Sequence, residues 1–92
     1  MPRATRLNDV DTGHSNCPPT KVNSASGDVI INGLGAARVG DTLEPHCSPP
    51  HGRTISAGSS TVFINGKAAV RKGDPIDCGG VIDTSSSDVI VG

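Results

Sequence analysis

The sequence predicts an all-β chain built from three imperfect copies of one hairpin unit. Three observations carry that reading. A block of thirteen residues recurs 33 positions later in a chain of 92 residues. Asn-Gly steps follow directly on short β-branched runs, and no window shows a helical apolar period of helix length.

The repeat comes first, because self-similarity outranks local propensity as a fold signal. Val29 to Asp41 aligns without a gap on Val62 to Asp74, with identities at Val, Ile, Asn, Gly, Ala, Arg, Gly and Asp, eight of thirteen. Partial copies flank these two. Arg6-Leu7-Asn8-Asp9 matches Arg38-Val39-Gly40-Asp41 and Arg71-Lys72-Gly73-Asp74, while Asp88-Val89-Ile90-Val91 echoes Asp28-Val29-Ile30-Ile31. The units therefore run over about 6–37, 38–70 and a shortened 71–92, within a single domain. The chain begins and ends within a repeat, so its last strand is expected to pair with its first unit. Three copies in one short chain imply pseudo-threefold symmetry.

Local signals agree with the repeat. Val29-Ile30-Ile31 and Val62-Phe63-Ile64 favour strand, since β-branched and aromatic side chains suit a pleated surface. Asn32-Gly33 and Asn65-Gly66 supply the two positive-φ residues that a type I′ hairpin turn needs. Gly40-Asp41 and Gly73-Asp74 then read as the turns that end each hairpin.

Composition adds a problem that the fold must solve. Phe63 is the single aromatic residue, against 12 Gly and 7 Pro, and only 34% of residues are hydrophobic. Aromatic side chains usually dominate cores because each buries ~150–250 Å². A small chain without them needs a disulfide, a metal or a partner. The formal net charge is −1, with Lys and Arg scattered singly. That balance, and the lack of stacking aromatics, argue against nucleic acid. No apolar run approaches the ~20 residues of a membrane span, and MPRATRLNDV lacks the apolar centre of a secretory signal.

The repeat register points to a metal. Asp9 is followed five residues on by His14, Asp41 five residues on by His46, and Asp74 four residues on by Cys78. Pseudo-threefold symmetry would gather these three positions near one axis, and His51 shares a loop with His46. Zn²⁺ prefers four tetrahedral nitrogen and sulfur ligands. His14, His46, His51 and Cys78 would complete that shell and make a closed, structural site whose binding energy becomes folding energy. Cys17 and Cys47 lie beside this set. Either is able to replace one ligand, or the two to form a disulfide in an oxidising compartment; free thiols are the default expectation.

With these features in place, the chain resembles the PAAR-repeat proteins. The namesake motif reads here as Gly35-Ala36-Ala37-Arg38 and Ala68-Ala69-Val70-Arg71, each with a following Gly-Asp. Its Pro is replaced in both copies, and Val70 replaces the second Ala. The resemblance covers the chain from about Arg6 to Gly92. It implies a short conical fold stapled by one zinc on three His and one Cys, matching His14, His46, His51 and Cys78. It also implies a base that caps a trimeric β-helical spike, either VgrG of a type VI secretion system or the central spike of a contractile phage tail. In that reading Val29, Ile31, Val62, Ile64, Val89 and Val91 pack inside the strands or onto the partner. The tip is made in the cytoplasm, carried on the contractile apparatus and brought into transient contact with a target membrane.

A zinc hydrolase is the rival reading. It would need water in the fourth zinc position and Glu44 or Asp77 as base, but the tight loops leave little chain for a substrate pocket. The expectation is a structural protein, not an enzyme.

Overall fold

The computed structural model of the chain describes residues 2–13, 17–46, 51–77 and 79–92. Among them there is no helix; the chain is all-β, in three two-stranded antiparallel sheets. Strand β1 (Ile30–Ile31) pairs with β2 (Leu34–Gly35), β3 (Thr42–His46) with β4 (His51–Thr54), and β5 (Phe63–Ile64) with β6 (Lys67–Ala68). The first and third hairpins are the predicted ones. Asn32 and Gly33 have φ of 52° and 81°, and Asn65 and Gly66 have 55° and 78°. Both central residues are thus left-handed, as type I′ turns require.

The middle hairpin departs from the sequence reading, which treats that region as loop. Thr42 pairs with Thr54, Leu43 with Arg53 and His46 with His51, with a register shift between Leu43 and His46. Pro45 and three polar neighbours hide this strand from propensity. Pro in a strand belongs on an unpaired side or at an irregularity, and here it falls within the shifted stretch.

A closed cycle of backbone hydrogen bonds defines the pseudo-threefold axis. Thr5 N–H donates to Val70 C=O (3.0 Å), Val70 N–H to Ala37 C=O (3.1 Å), and Ala37 N–H to Thr5 C=O (2.9 Å). All three residues are buried. One step outward, Arg6 bridges Ala36, Arg38 bridges Ala69, and Arg71 bridges Ala4. Each unit therefore pairs with the next, and the last pairs with the first. The C-terminal segment joins this closure as the repeat predicts: Ala4 N–H donates to Val89 C=O (2.9 Å) and Val91 N–H to Pro2 C=O (3.0 Å).

Two apolar clusters flank the cycle. One gathers Ala4, Ala36, Ile64, Ala69 and Val91, with Ile31 and Val89 packed against it. The other gathers Val22, Ala37, Leu43, Ile55, Val70, Ile76 and Ile82. Small side chains near the axis let three backbones approach closely enough to hydrogen-bond, which explains the Ala-Ala steps of the repeat. The core remains thin, and the largest fully buried side chain among the described residues is an arginine, Arg53.

Candidate metal centre and docking face

Three Arg-x-x-Asp turns hold the units together. In each, the Asp N–H donates to the Arg C=O three residues earlier, at 3.0, 2.9 and 3.0 Å for Asp9, Asp41 and Asp74. The third residue, Asn8, Gly40 or Gly73, has positive φ, as a type II turn requires. The carboxylate folds back on its own arginine. Asp41 Oδ2 accepts from Arg38 N (2.7 Å) and Nε (3.0 Å), while Oδ1 accepts from Nη2 (2.9 Å). Arg6–Asp9 and Arg71–Asp74 repeat this fork. The hydrogen bond to each Asp is the main reason that Arg6, Arg38 and Arg71 are raised above the ordinary arginine value.

The free end of each guanidinium reaches the neighbouring unit. Arg6 Nη1 donates to Asn32 Oδ1 (3.3 Å), Arg38 Nη1 to Asn65 Oδ1 (3.1 Å), and Arg71 Nη1 to Gly92 C=O (2.9 Å). Gly92 stands where the other copies carry Asn, and its backbone oxygen takes over the amide's task. Ser86, Ser26 and Ser59 donate to the same three acceptors. Their hydroxyl oxygens also cap the strands that follow, accepting from Val89, Val29 and Val62 N–H at 3.0, 3.0 and 2.9 Å. The turn asparagines latch two exposed carboxylates: Asn65 Nδ2 donates to Asp28 and Asn32 Nδ2 to Asp88, both at 2.9 Å. These amide bonds are the main reason that Asp28 and Asp88 lie below the ordinary carboxylate value.

This lattice presents an apolar triplet to solvent. Ile30, Phe63 and Ile90 occupy matching places in the three copies and are 56%, 61% and 53% exposed. They alternate with Ile31, Ile64 and Val91, which face the core beside the axis. Of the six residues that the sequence reading puts inside or onto a partner, Ile31, Ile64, Val89 and Val91 belong to or pack against that cluster. Val29 and Val62 stand exposed beside the triplet. Sequence reasoning missed Ile30, Phe63 and Ile90, although the two-residue period of a strand already sets them opposite Ile31, Ile64 and Val91.

Of the candidate ligands, His46 ends β3 and His51 begins β4, and the two are backbone partners across that ladder. His14 and Cys78 lie outside the described residues, as does Cys47. Their described neighbours converge, however. A Cβ placed on Gly80 would come within 2.8 Å of Gly13 C=O, so the flanks of His14 and Cys78 touch. Asp77 N–H donates to Thr54 C=O (2.9 Å), and Thr54 N–H donates to Asp77 Oδ1 (3.1 Å), which ties the other flank of Cys78 to β4.

Cys17 is disulfide-bonded, which corrects the free thiol expected there. A sulfur in a disulfide is no thiolate ligand, so Cys17 replaces none of the predicted ligands. Three His and one Cys, the predicted set, are donor types that suit a tetrahedral zinc. Among the described residues no group of three His, Cys, Asp or Glu side chains stands together. There is also no pocket among them, and Glu44 and Asp77 are exposed.

Cyclic pairing of three similar units, with an apolar triplet exposed beside the cycle, defines a pseudo-trimeric β-repeat protein. The family model for the PAAR motif matches residues 12–84, and the chain belongs to that family. It is thereby a structural protein of the spike-tip type. Among curated proteins, none matches the chain.

Proposed function

We propose that this chain caps the blunt end of a trimeric β-helical spike in a contractile injection machine, one copy per trimer. The observation that carries the reading is the threefold placement of Ile30, Phe63 and Ile90 around a closed backbone cycle. One polypeptide offers the same contact three times, which suits a partner with three identical chains. A VgrG-type secretion spike and a phage tail spike share that symmetry. An open spike end would leave strand edges prone to wrong pairing, and a cap of this kind covers them.

A zinc ion held by His14, His46, His51 and Cys78 staples the other end. Support comes from the His46–His51 pairing and the convergence of the chain flanking His14 and Cys78. When bound, the metal cross-links segments from all three units and resists splaying. The chain is made in the cytoplasm and leaves it on the spike when the machine fires, meeting the target membrane only then.

Mixing the purified chain with a recombinant spike trimer tests docking: one chain per trimer by light scattering is expected, and no complex at micromolar concentrations refutes it. Cobalt substitution tests the ligand set, because a thiolate-to-cobalt charge-transfer band of one-sulfur intensity is expected and its absence removes Cys78 from the shell.

A further inference from the structure

The turns that close each unit lead into equivalent core positions, two residues beyond each Asp. Leu43 and Ile76 fill two of them, paired with Val22 and Ile55, and both are buried. The third is Asp11, paired with Ile82 and wholly buried. A carboxylate thus stands where the repeat calls for an aliphatic side chain.

Its partner is Arg53, equally buried, which lies opposite Leu43 in the β3–β4 ladder. The guanidinium forks onto the carboxylate, with Nη1 3.3 Å from Oδ1 and Nη2 on Oδ2, and Nη1 also meets Thr20 Oγ1. Thr20 N–H donates to Asp11 Oδ1 at 2.9 Å. Gly80 completes the layer. A Cβ there would stand 3.2 Å from Asp11 Oδ2 and 3.3 Å from Thr12 Oγ1, so a side chain would crowd the ion pair.

The layer members sit close in sequence to the metal-site segments. Asp11 precedes His14 by three residues, Arg53 follows His51 by two, and Gly80 follows Cys78 by two. A buried ion pair is a poor source of stability, since desolvation offsets its attraction and apolar replacements of similar volume often match or exceed it. What it supplies is direction: a forked pair fixes the distance and angle between two segments, whereas aliphatic contacts tolerate sliding. A metal shell needs that control, because ligand distances must agree to about 0.2 Å.

We infer that Asp11 and Arg53 are positioning residues for the metal, holding the 11–14 segment and β4 at the spacing its ligands require. This rests on the zinc reading above, and the experiment separates the two. The full-length chain and the double variant D11L/R53L are compared in two measurements: zinc affinity by competition with a chromophoric chelator, and urea unfolding of the metal-free protein. The expected result is a metal-free midpoint at or above that of wild type, with zinc affinity lowered about 10–100-fold, the range for lost outer-shell partners. Unchanged affinity overturns the inference alone, as does a loss of affinity that merely tracks a fall in metal-free stability. A wild-type chain that takes up no zinc overturns both readings. If the double variant does not fold, Asp11→Asn is judged by the same pair of measurements.

Discussion

Replacing Phe63 with Ala removes the largest exposed apolar side chain of the proposed docking face. A Phe buries ~150–250 Å² when fully covered, and 61% of Phe63 is open to solvent, leaving roughly 90–150 Å² for a partner to cover. At ~25 cal/mol per Å² that is about 2–4 kcal/mol, of which truncation to Ala forfeits about 2–3 kcal/mol. Each 1.4 kcal/mol is about tenfold in affinity, so Kd for the spike trimer should rise roughly 30- to 140-fold. Ordering costs on association make that an upper value. The fold should be untouched, with stability within about 0.5 kcal/mol, as for other exposed positions. Titration calorimetry against the trimer and thermal unfolding of the free cap provide the two numbers. The neighbouring Ile64→Ala gives the opposite pattern, losing about 2–5 kcal/mol of stability as a core truncation, since Ile64 packs inside beside the axis. A Phe63→Ala protein that binds within threefold of wild type, or that unfolds as early as Ile64→Ala, refutes the assignment of inward and outward faces.

Other expectations follow from the same geometry. Asp41→Asn takes the charge from a fork of three hydrogen bonds, so it should cost about 1–3 kcal/mol, while exposed Asp83→Asn should cost nothing measurable by urea unfolding. Thr5 Oγ1 is buried with no partner among the described residues, and Val70 fills the matching place in the backbone cycle. Thr5→Val should therefore raise stability by about 1 kcal/mol, or about 4–8 °C in melting temperature; a lower midpoint would count against the unpaired hydroxyl. Chelation should lower the unfolding free energy by about 4 kcal/mol relative to protein with free zinc at a thousandfold above Kd. Acid should act in two stages. Protons compete with metal for the histidine nitrogens, so the proposed ion should be released on acidification, below the free imidazole value of about 6.5. Asp11 then matters: burial alone would raise its pKa, but hydrogen bonds from Arg53 and Thr20 and the guanidinium charge outweigh that and hold it below 3.8. Its contribution is full above the unfolded value and is lost as pH falls through the lower folded one. Metal release measured against pH, alongside circular dichroism, should show the first step well before the second.

The parts of the fold that were legible in the sequence are those fixed within a few residues. Asn32-Gly33 and Asn65-Gly66 form type I′ turns because few other pairs tolerate two positive φ values, and the 33-residue offset placed their neighbours. The β3–β4 hairpin was not legible, because Glu44, Pro45 and His46 give neither alternation nor β-propensity; its pairing comes from the tertiary register. Parity failed for a different reason. Ile30 and Ile31 are both aliphatic, so nothing local distinguishes the core side from the solvent side, and only closure about the axis decides. Asp11 was half legible. Alignment on Leu43 and Ile76 marks it as a core position, but its counter-charge Arg53 lies 42 residues away, beyond any local pattern.

Symmetry is kept at one end of this chain and given up at the other, and the division follows what each end has to meet. Near Ile30, Phe63 and Ile90 the copies agree down to side-chain roles. Three serines cap three strands, three Arg–Asp forks reach the neighbouring unit, and a backbone oxygen of Gly92 stands in for an asparagine amide. Toward His46 and His51 the copies diverge: Asp11 stands against Leu43 and Ile76, and among the described residues only the middle unit carries a named hairpin there, β3–β4. A threefold partner rewards three equal contacts, because a defect in one copy weakens the shared face. Four tetrahedral ligands cannot be threefold-equivalent, so the proposed apical ion would require one unit to supply an extra donor, and His51 on the β3–β4 hairpin would fill that role. The Asp11–Arg53 pair would then compensate for the lost symmetry, since unequal units no longer position one another by repetition alone.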